Sequence, residues 1–249
     1  MRRENNLRIR CTPKLEVLAL LVLASVMLAP TASAAVIGHL TFDNCGSGGA
    51  IVTLTTIDFF LPLLGGNGCI MTGGGTNITY SGGGPLGASD TGTVNDLGFT
   101  PAANIDFIAF AGNPNLHFDL TGLGPGPINT GCANSTNVNG IGCAVFPGSP
   151  FLLAPNGHGT TVTLPVNGVA HDTSSTSSTW TGAFTTQLNG RTPASIQTNI
   201  LSGNSESSTW SFEGDVTAVA VSVPEPVTMA MIGGGLIAFA TLRRRRSRT

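Results

Sequence analysis

Residues 179–187 read Thr-Trp-Thr-Gly-Ala-Phe-Thr-Thr-Gln, and residues 209–214 read Thr-Trp-Ser-Phe-Glu-Gly. In both stretches large apolar side chains alternate with small or hydroxyl-bearing ones, which is the period of a β-strand. Trp180 and Phe184 therefore fall on one strand face, as do Trp210 and Phe212. We expect these rings to fill a core between packed sheets. The alternative is a solvent-facing platform on which Trp180 and Trp210 stack on sugar rings.

The same alternation recurs through the middle of the chain, interrupted by runs of Gly, Pro and Asn that have turn chemistry. A helical period is present only near Pro193 to Leu201. Several strands that each have one apolar face must bury it against a second sheet. We therefore predict an all-β fold, a single jelly-roll-like β-sandwich over residues 35–222. The predicted strands are Val36–Phe42, Ile51–Phe59, Ile105–Ala111, Leu116–Leu120, Val162–Val166, Thr179–Gln187 and Thr209–Val221.

The N-terminal residues 1–34 have the three parts of a secretory signal peptide. A basic leader that ends at Lys14 is followed by the apolar run Val17–Leu28. Ala32 and Ala34 flank Ser33 in a small-residue cleavage site. The mature protein is therefore predicted to begin near Ala35, after export by the general secretory route.

The C-terminal residues 223–249 combine a polar signal, an apolar segment and a basic cluster. In the Pro224-Glu225-Pro226 signal the prolines disfavour helix at the residue before each of them, so Val223 and Glu225 should be extended. The 16 residues of Val227–Leu242 give roughly 24 Å of helix, marginally enough to span a bilayer as a transmembrane helix. Basic residues stay on the cytoplasmic side, so the body is predicted to lie outside the inner membrane. These residues are Arg243, Arg244, Arg245, Arg246 and Arg248.

This order of motif, apolar segment and arginine cluster resembles the PEP-CTERM sorting signal of Gram-negative bacteria. The hairpin-like stretches at 180–187 and 210–214 also look like the end of many PEP-CTERM surface proteins. The resemblance implies a membrane enzyme, exosortase, as partner and processing near Pro224-Glu225-Pro226. It further implies a transient inner-membrane intermediate, then delivery to the cell surface or to an extracellular exopolysaccharide matrix.

The net charge of the whole chain is only −2, but the part between the two terminal segments is strongly acidic. Between Ala35 and Val223 the only basic residue, histidines aside, is Arg191, against ten Asp and Glu, for a net charge of −9. Nucleic acid is thereby excluded as a partner, because the phosphate backbone requires a basic footprint.

Four cysteines remain once Cys11 leaves with the signal peptide: Cys45, Cys69, Cys132 and Cys143. An even number in an oxidising compartment predicts two disulfides. Of the three possible connectivities we favour Cys45–Cys69 and Cys132–Cys143, because each closes a short loop rich in Gly and Asn. A cysteine metal site is the alternative, but no Cys-x-x-Cys pair supports it.

We predict no catalytic residues, no metal and no resident cofactor. His171-Asp172 lacks a Gly-x-Ser-x-Gly elbow, and adjacent residues on a strand point to opposite faces. Asp106 and Asp119 are interpreted as outward-facing strand carboxylates. Calcium stays open as an alternative, because hard oxygen ligands occur at Asp43-Asn44, Asn95-Asp96 and Asn104 with Asp106.

The sequence thus favours a non-enzymatic exported protein with a structural or adhesive role in the envelope or exopolysaccharide. A carbohydrate-binding module is the second hypothesis, motivated by the predicted sandwich and the two tryptophans. A polysaccharide-modifying enzyme is the third, and it requires two carboxylates about 5 to 10 Å apart in a cleft.

Overall fold

The computed structural model describes residues 35–60, 67–99, 104–134, 142–174 and 176–219, together with the pair 233–234. Ser33–Val219 forms one compact unit, and the description below concerns that unit. Its strands are β1 (Gly38–Asn44), β2 (Gly49–Val52), β3 (Thr56–Phe60), β4 (Gly68–Thr72), β5 (Thr91–Val94), β6 (Leu97–Gly98), β7 (Asn104–Phe110), β8 (His117–Leu123), β9 (Leu152–Asn156), β10 (Gly159–His171), β11 (Ser177–Asn189), β12 (Glu206–Ser208) and β13 (Ser211–Ala218).

Eight antiparallel strands close into a ring in the order β11-β13-β1-β4-β5-β7-β8-β10. The ring closes because β10 and β11, each 13 residues long, pair along their whole length from Gly159↔Asn189 to His171↔Ser177. Strand β9 pairs with the first part of β10, beyond the β8 contact. The prediction of a single all-β, sandwich-like domain is confirmed, and the hydrogen bonding adds that the large sheet closes on itself as in a barrel.

A second sheet of four short strands, β12-β2-β3-β6, packs onto the core of the ring. From β3, Phe59 lies 5.3 Å from the Phe184 ring and 5.1 Å from the Trp210 ring, measured between centroids. Phe42 in turn stacks on Phe212 at 4.5 Å. The aromatic rings of both sheets therefore share one core, and such contacts add about 0.5–1.5 kcal/mol per pair beyond the buried area.

The helix α1 (Pro193–Leu201) confirms the predicted helical segment. Thr192 caps its N-terminus by accepting a hydrogen bond from the backbone N–H of Ser195, and Ser195 reciprocates. Pro193 occupies the first turn, where a missing N–H has no cost. Ile196 and Ile200 are buried, so one face of α1 packs onto the core.

The predicted strand Ile51–Phe59 is wrong in its continuity, since the structure has two strands there. Thr53 Oγ1 accepts hydrogen bonds from the N–H groups of Thr55 and Thr56. This hydroxyl-stabilised turn reverses the chain between β2 and β3 without any glycine or proline. The predicted strand Thr209–Val221 is shorter in the structure, where β13 covers Ser211–Ala218.

No helix within the described residues is long and apolar enough to cross a membrane. The predicted transmembrane segment Val227–Leu242 lies outside those residues, apart from Gly233 and Gly234. The predicted signal peptide, with Ala32 and Ala34, also lies outside them, as do Pro224, Glu225, Pro226 and the arginine cluster from Arg243 to Arg248.

Candidate functional site

Strand pairing brings two histidines side by side on the outer wall of the barrel. His117 begins β8 and is the direct partner of His171 at the end of β10. Their neighbours Phe118 and Ala170 are fully buried, so the two imidazoles point outward. The rings stack with a centroid distance of 5.1 Å and an interplanar angle of 18°.

Each imidazole is held by its own carboxylate. His117 Nδ1 lies 2.5 Å from Asp106 Oδ1, and His171 Nε2 lies 3.0 Å from Asp119 Oδ2. The second oxygen of Asp119 accepts a hydrogen bond of 2.8 Å from the Asp106 backbone N–H, which links the two pairs. We call these four residues the His–Asp cluster. Its side chains are between 23% and 50% exposed, so solutes can reach it.

A β-bulge places Asp106 in this cluster. The pairing of β7 with β8 shifts register between Asn104 and Ile108, and Asp106 has a φ of 53°. A left-handed conformation is unfavourable for a residue that has a Cβ, although Asp tolerates it better than most. Bulges that re-aim a side chain are common next to functional sites, and such strain is a reason to suspect function.

The His–Asp cluster differs from the His171-Asp172 pairing considered from the sequence. Asp172 instead accepts hydrogen bonds from the backbone N–H groups of Ser81 (2.5 Å) and Ser174 (2.7 Å). Burial raises the pKa of Asp172, but the hydrogen bonds from Ser174 and Ser81 outweigh it and leave this pKa lowered. Asp172 therefore anchors a loop, and the carboxylate that His171 contacts is that of Asp119.

The sequence interpretation of Asp106 and Asp119 as isolated outward carboxylates missed their assembly. One local signal was present, because His117 and Asp119 are two residues apart and share a strand face. The decisive contact joins His171 to Asp119 across 52 residues of sequence, and only the strand register reveals it.

Three of the residues proposed as calcium ligands, Asn44, Asp96 and Asp106, have a side-chain oxygen engaged by a protein group. Asp96 Oδ1 accepts a hydrogen bond from Phe59 N–H, and Asn104 Nδ2 donates to Asp96 O. Burial raises the pKa of Asp96, with a further contribution from Asp58. Asn44 Nδ2 donates a hydrogen bond to Gly48 O, and Asn44 Oδ1 accepts one from the Trp210 backbone N–H. Across the described residues, no group of three or more His, Cys, Asp or Glu side chains could hold a metal ion.

A second polar region lies on the outer wall where β1, β13 and β11 run side by side. It is an open groove of about 680 Å³, lined by Thr41, Thr181, Thr185, Ser211, Glu213 and Asp215, among others. His39 lies at this groove, with its Nδ1 2.8 Å from Asp215 Oδ1. Hydroxyls and carboxylates of this kind bind polar, hydroxyl-rich ligands.

The alternative in which Trp180 and Trp210 stack on sugar rings is not supported by their position. Their exposures are 2% and 6%, so neither ring face is available to a ligand. Trp180 Nε1 donates to Asp119 O at 3.1 Å, inside the barrel wall. Trp210 lines an interior cavity of about 70 Å³ beneath α1 and the small sheet. Both rings are core residues.

The disulfide pairing Cys45–Cys69 and Cys132–Cys143 is confirmed. The first bridge joins the end of β1 to its neighbour β4, where Asn44 already pairs with Ile70. The second joins two segments that flank α1, since Gln197 Nε2 donates to Thr130 O at 2.8 Å and to Val145 O at 3.0 Å just outside the bridge. Both bridges therefore reinforce contacts that the sheet and the helix also make.

A closed antiparallel sheet fastened by two disulfides defines an all-β protein suited to an oxidising compartment. Residues 222–246 match the family model described as the PEP-CTERM protein-sorting motif. The chain therefore carries the sorting signal of an exported protein that exosortase processes, as the sequence resemblance implies. No curated protein and no solved structure matches the chain.

Proposed function

We propose that the barrel is a structural or adhesive component of the cell envelope or of an exopolysaccharide matrix, without catalytic activity of its own. One observation carries this proposal. The sorting motif begins at residue 222, four residues after the last strand, β13, ends at Ala218. Processing near Pro224-Glu225-Pro226 would thus release a complete barrel as the delivered product.

The chemistry of the barrel supports an extracellular scaffold role. Its net charge of −9 comes from few charged groups, and much of the outer wall is formed by Thr and Ser. A surface of this kind stays soluble and hydrated without lysine. The disulfides stabilise the fold in an oxidising compartment. For catalysis by Asp106 and Asp119, both carboxylates would first have to leave their histidine partners.

The test compares a host that has exosortase with the same host lacking it. Intact mass of the protein from the surface or medium should match a chain from Ala35 to about Pro226. Replacing Pro224, Glu225 and Pro226 by alanine should abolish this product and retain the protein in the membrane fraction. The matched control replaces Val219 and Ala220, outside the motif. In a strain from which the gene for this protein is deleted, cohesion of the matrix should fall. The wild-type gene should restore it, and the gene with the alanine-substituted motif should not.

A carbohydrate-binding role is the second candidate, and the groove beside His39 is the observation that favours it. Its volume of about 680 Å³ lies within the range of small-molecule sites. Affinity would come from hydrogen bonds to hydroxyls, because the tryptophans are buried. Titration with matrix oligosaccharides should perturb groove residues in nuclear magnetic resonance spectra. Glu213→Gln combined with Thr41→Val should weaken binding, whereas Thr217→Val, further along β13, should not.

A further inference from the structure

We propose that the His–Asp cluster is a binding site for one imidazole-preferring divalent metal ion, of the class Zn²⁺, Cu²⁺ or Ni²⁺, with His117 and His171 as the protein ligands. Asp106 and Asp119 bind the ring nitrogens that do not face the ion, and thereby orient the two rings. The remaining coordination positions are filled by water or by a ligand from the matrix. Such a site has two protein ligands, so it is distinct from the groups of three or more that the described residues lack.

The hydrogen-bonding geometry of the two histidines favours metal binding. A neutral imidazole that donates one N–H to a carboxylate presents a lone pair on its other nitrogen. His117 Nδ1 faces Asp106, which leaves Nε2, and His171 Nε2 faces Asp119, which leaves Nδ1. Within the described part of the chain these two nitrogens make no hydrogen bond. Metal-ligating histidines almost always donate the opposite N–H to a carboxylate, a backbone carbonyl or water, and a carboxylate is the partner here.

The spacing of the rings also fits a shared ion. With metal–nitrogen bonds of about 2.1 Å and tetrahedral angles, two imidazole centroids lie about 5 Å apart. The observed distance is 5.1 Å. The rings are stacked, so they must turn about their χ2 torsions to aim both nitrogens at one point. Their side chains are 34% and 37% exposed, which leaves room for this rotation.

The backbone strain at Asp106 has a role in this arrangement. Without the bulge, a regular strand would not bring the Asp106 carboxylate to His117 while its N–H binds Asp119. The bulge thus lets Asp106 contact two groups at once. Its backbone N–H donates to Asp119, and its carboxylate binds His117. This support limits the side-chain freedom that is lost on binding, although both rings still have to turn about χ2 to reach a shared ion.

His39 provides a comparison inside the same protein. Its Nδ1 also lies against a carboxylate, that of Asp215, on the outer wall of the barrel, but its Nε2 lies 3.5 Å from Glu213 Oε1. Within the described residues it stacks on no second imidazole. If single carboxylate-paired histidines bound the ion, His39 would bind it as well as the His–Asp cluster does.

The test is titration of the exported, disulfide-bonded protein with Zn²⁺ and Cu²⁺ in 1 mM Ca²⁺, which occupies sites made of carboxylates alone. Purification uses a streptavidin-binding tag, because a polyhistidine tag would bind the ions. Calorimetry should give one ion per chain. Tm should rise by about 5–11 °C when free ion exceeds its Kd a hundredfold. The electron paramagnetic resonance spectrum of the Cu²⁺ form should show two nitrogen ligands.

His117→Gln and His171→Gln should each weaken binding at least tenfold, and Asp106→Asn or Asp119→Asn about tenfold or more. His39→Gln should change affinity less than twofold. Each variant is compared by its Tm in chelator, which separates loss of the ion from loss of the fold. Unchanged affinity in the double variant His117→Gln, His171→Gln would overturn the proposal. So would a wild-type Kd weaker than about 1 mM, or a Cu²⁺ spectrum without nitrogen ligands.

Discussion

At the scale of single residues, Gly168 shows how the core ring of Trp180 finds its place. Gly168 pairs with Trp180 across β10 and β11. A Cβ at Gly168 would lie 1.9 Å from Asp119 O and 2.4 Å from Trp180 Nε1. These are the two atoms of the indole hydrogen bond. Only glycine therefore lets the Trp180 ring lie over β10 and bond to the neighbouring strand.

We expect Gly168→Ala to destabilise the protein by about 1–3 kcal/mol, because the added methyl group forces the indole and the strand apart. Urea unfolding followed by tryptophan fluorescence measures the change. The matched control is Gly157→Ala, where a Cβ has no atom within 4 Å. Equal midpoints for the two variants would contradict this account of Trp180.

Asp172 is a second residue whose effect is local and testable. It is 7% exposed and fixes the loop at Ser174 and the segment at Ser81. We expect Asp172→Asn to cost about 1–2 kcal/mol at pH 7, because charge-assisted bonds are replaced by neutral ones. Its folded pKa is lowered. The carboxylate therefore stabilises the fold fully above its unfolded pKa of about 3.9 and loses this effect as pH falls through the folded value.

The measurement is the difference in unfolding free energy between wild type and Asp172→Asn from pH 7 down to pH 2. It should shrink toward zero at the acid end. Asp43→Asn, at an exposed position of β1, serves as the control and should show a much smaller difference at pH 7. A difference for Asp172→Asn that stays constant with pH would show that the charge of Asp172 is irrelevant.

At the scale of elements, the helix α1 depends on its cap. Thr192 Oγ1 accepts from Ser195 N at 3.2 Å, and Thr192 N donates to Ser195 Oγ at 3.1 Å. We expect Thr192→Ala to cost about 1 kcal/mol and Thr192→Ser to be nearly neutral. Thermal unfolding of the two variants in parallel gives the comparison, and equal losses would rule out the hydroxyl as the cause.

The Cys132–Cys143 bridge also acts at the scale of elements, because it tethers the loop that α1 packs on. The cysteines are 11 residues apart, and closure of a loop of this length contributes about 3 kcal/mol. We expect the double variant Cys132→Ser, Cys143→Ser to lose about 2–4 kcal/mol. Denaturant unfolding under non-reducing conditions measures it. The prediction would be contradicted if the reduced wild-type protein had the same free energy of unfolding as the oxidised wild-type protein.

At the scale of the whole molecule, the first and last strands of the barrel pair with each other. Six residue pairs join β1 to β13, from Gly38↔Val216 to Asp43↔Ser211. The ring therefore closes only when the complete body has been exported. Pairing between such distant residues makes folding slow, in the range of milliseconds to seconds or longer.

We expect the barrel to unfold as one cooperative unit, since both tryptophans and both sheets share a core. Unfolding curves from far-ultraviolet circular dichroism and from tryptophan fluorescence should coincide. Deletion of residues 209–219 should abolish the transition altogether, because β1 and β11 each lose one of their two partners and the ring opens. Separate transitions in the intact protein would show that the small sheet unfolds independently of the ring.

The sequence by itself determined the all-β class, the helix at Pro193–Leu201, the disulfide pairing and the sorting signal. These features depend on properties of neighbouring residues, such as side-chain period, capping chemistry, loop length and charge order, so they can be read along the chain. The closure of the sheet, the division of the predicted strand Ile51–Phe59 and the His–Asp cluster were decided only by the tertiary structure. The Thr53 turn that divides the predicted strand is local but carries no Gly or Pro signal, whereas the sheet closure and the His–Asp cluster depend on which distant strands pair and in which register, as for His171 and Asp119. That choice is made by packing of the whole core, which no local pattern contains.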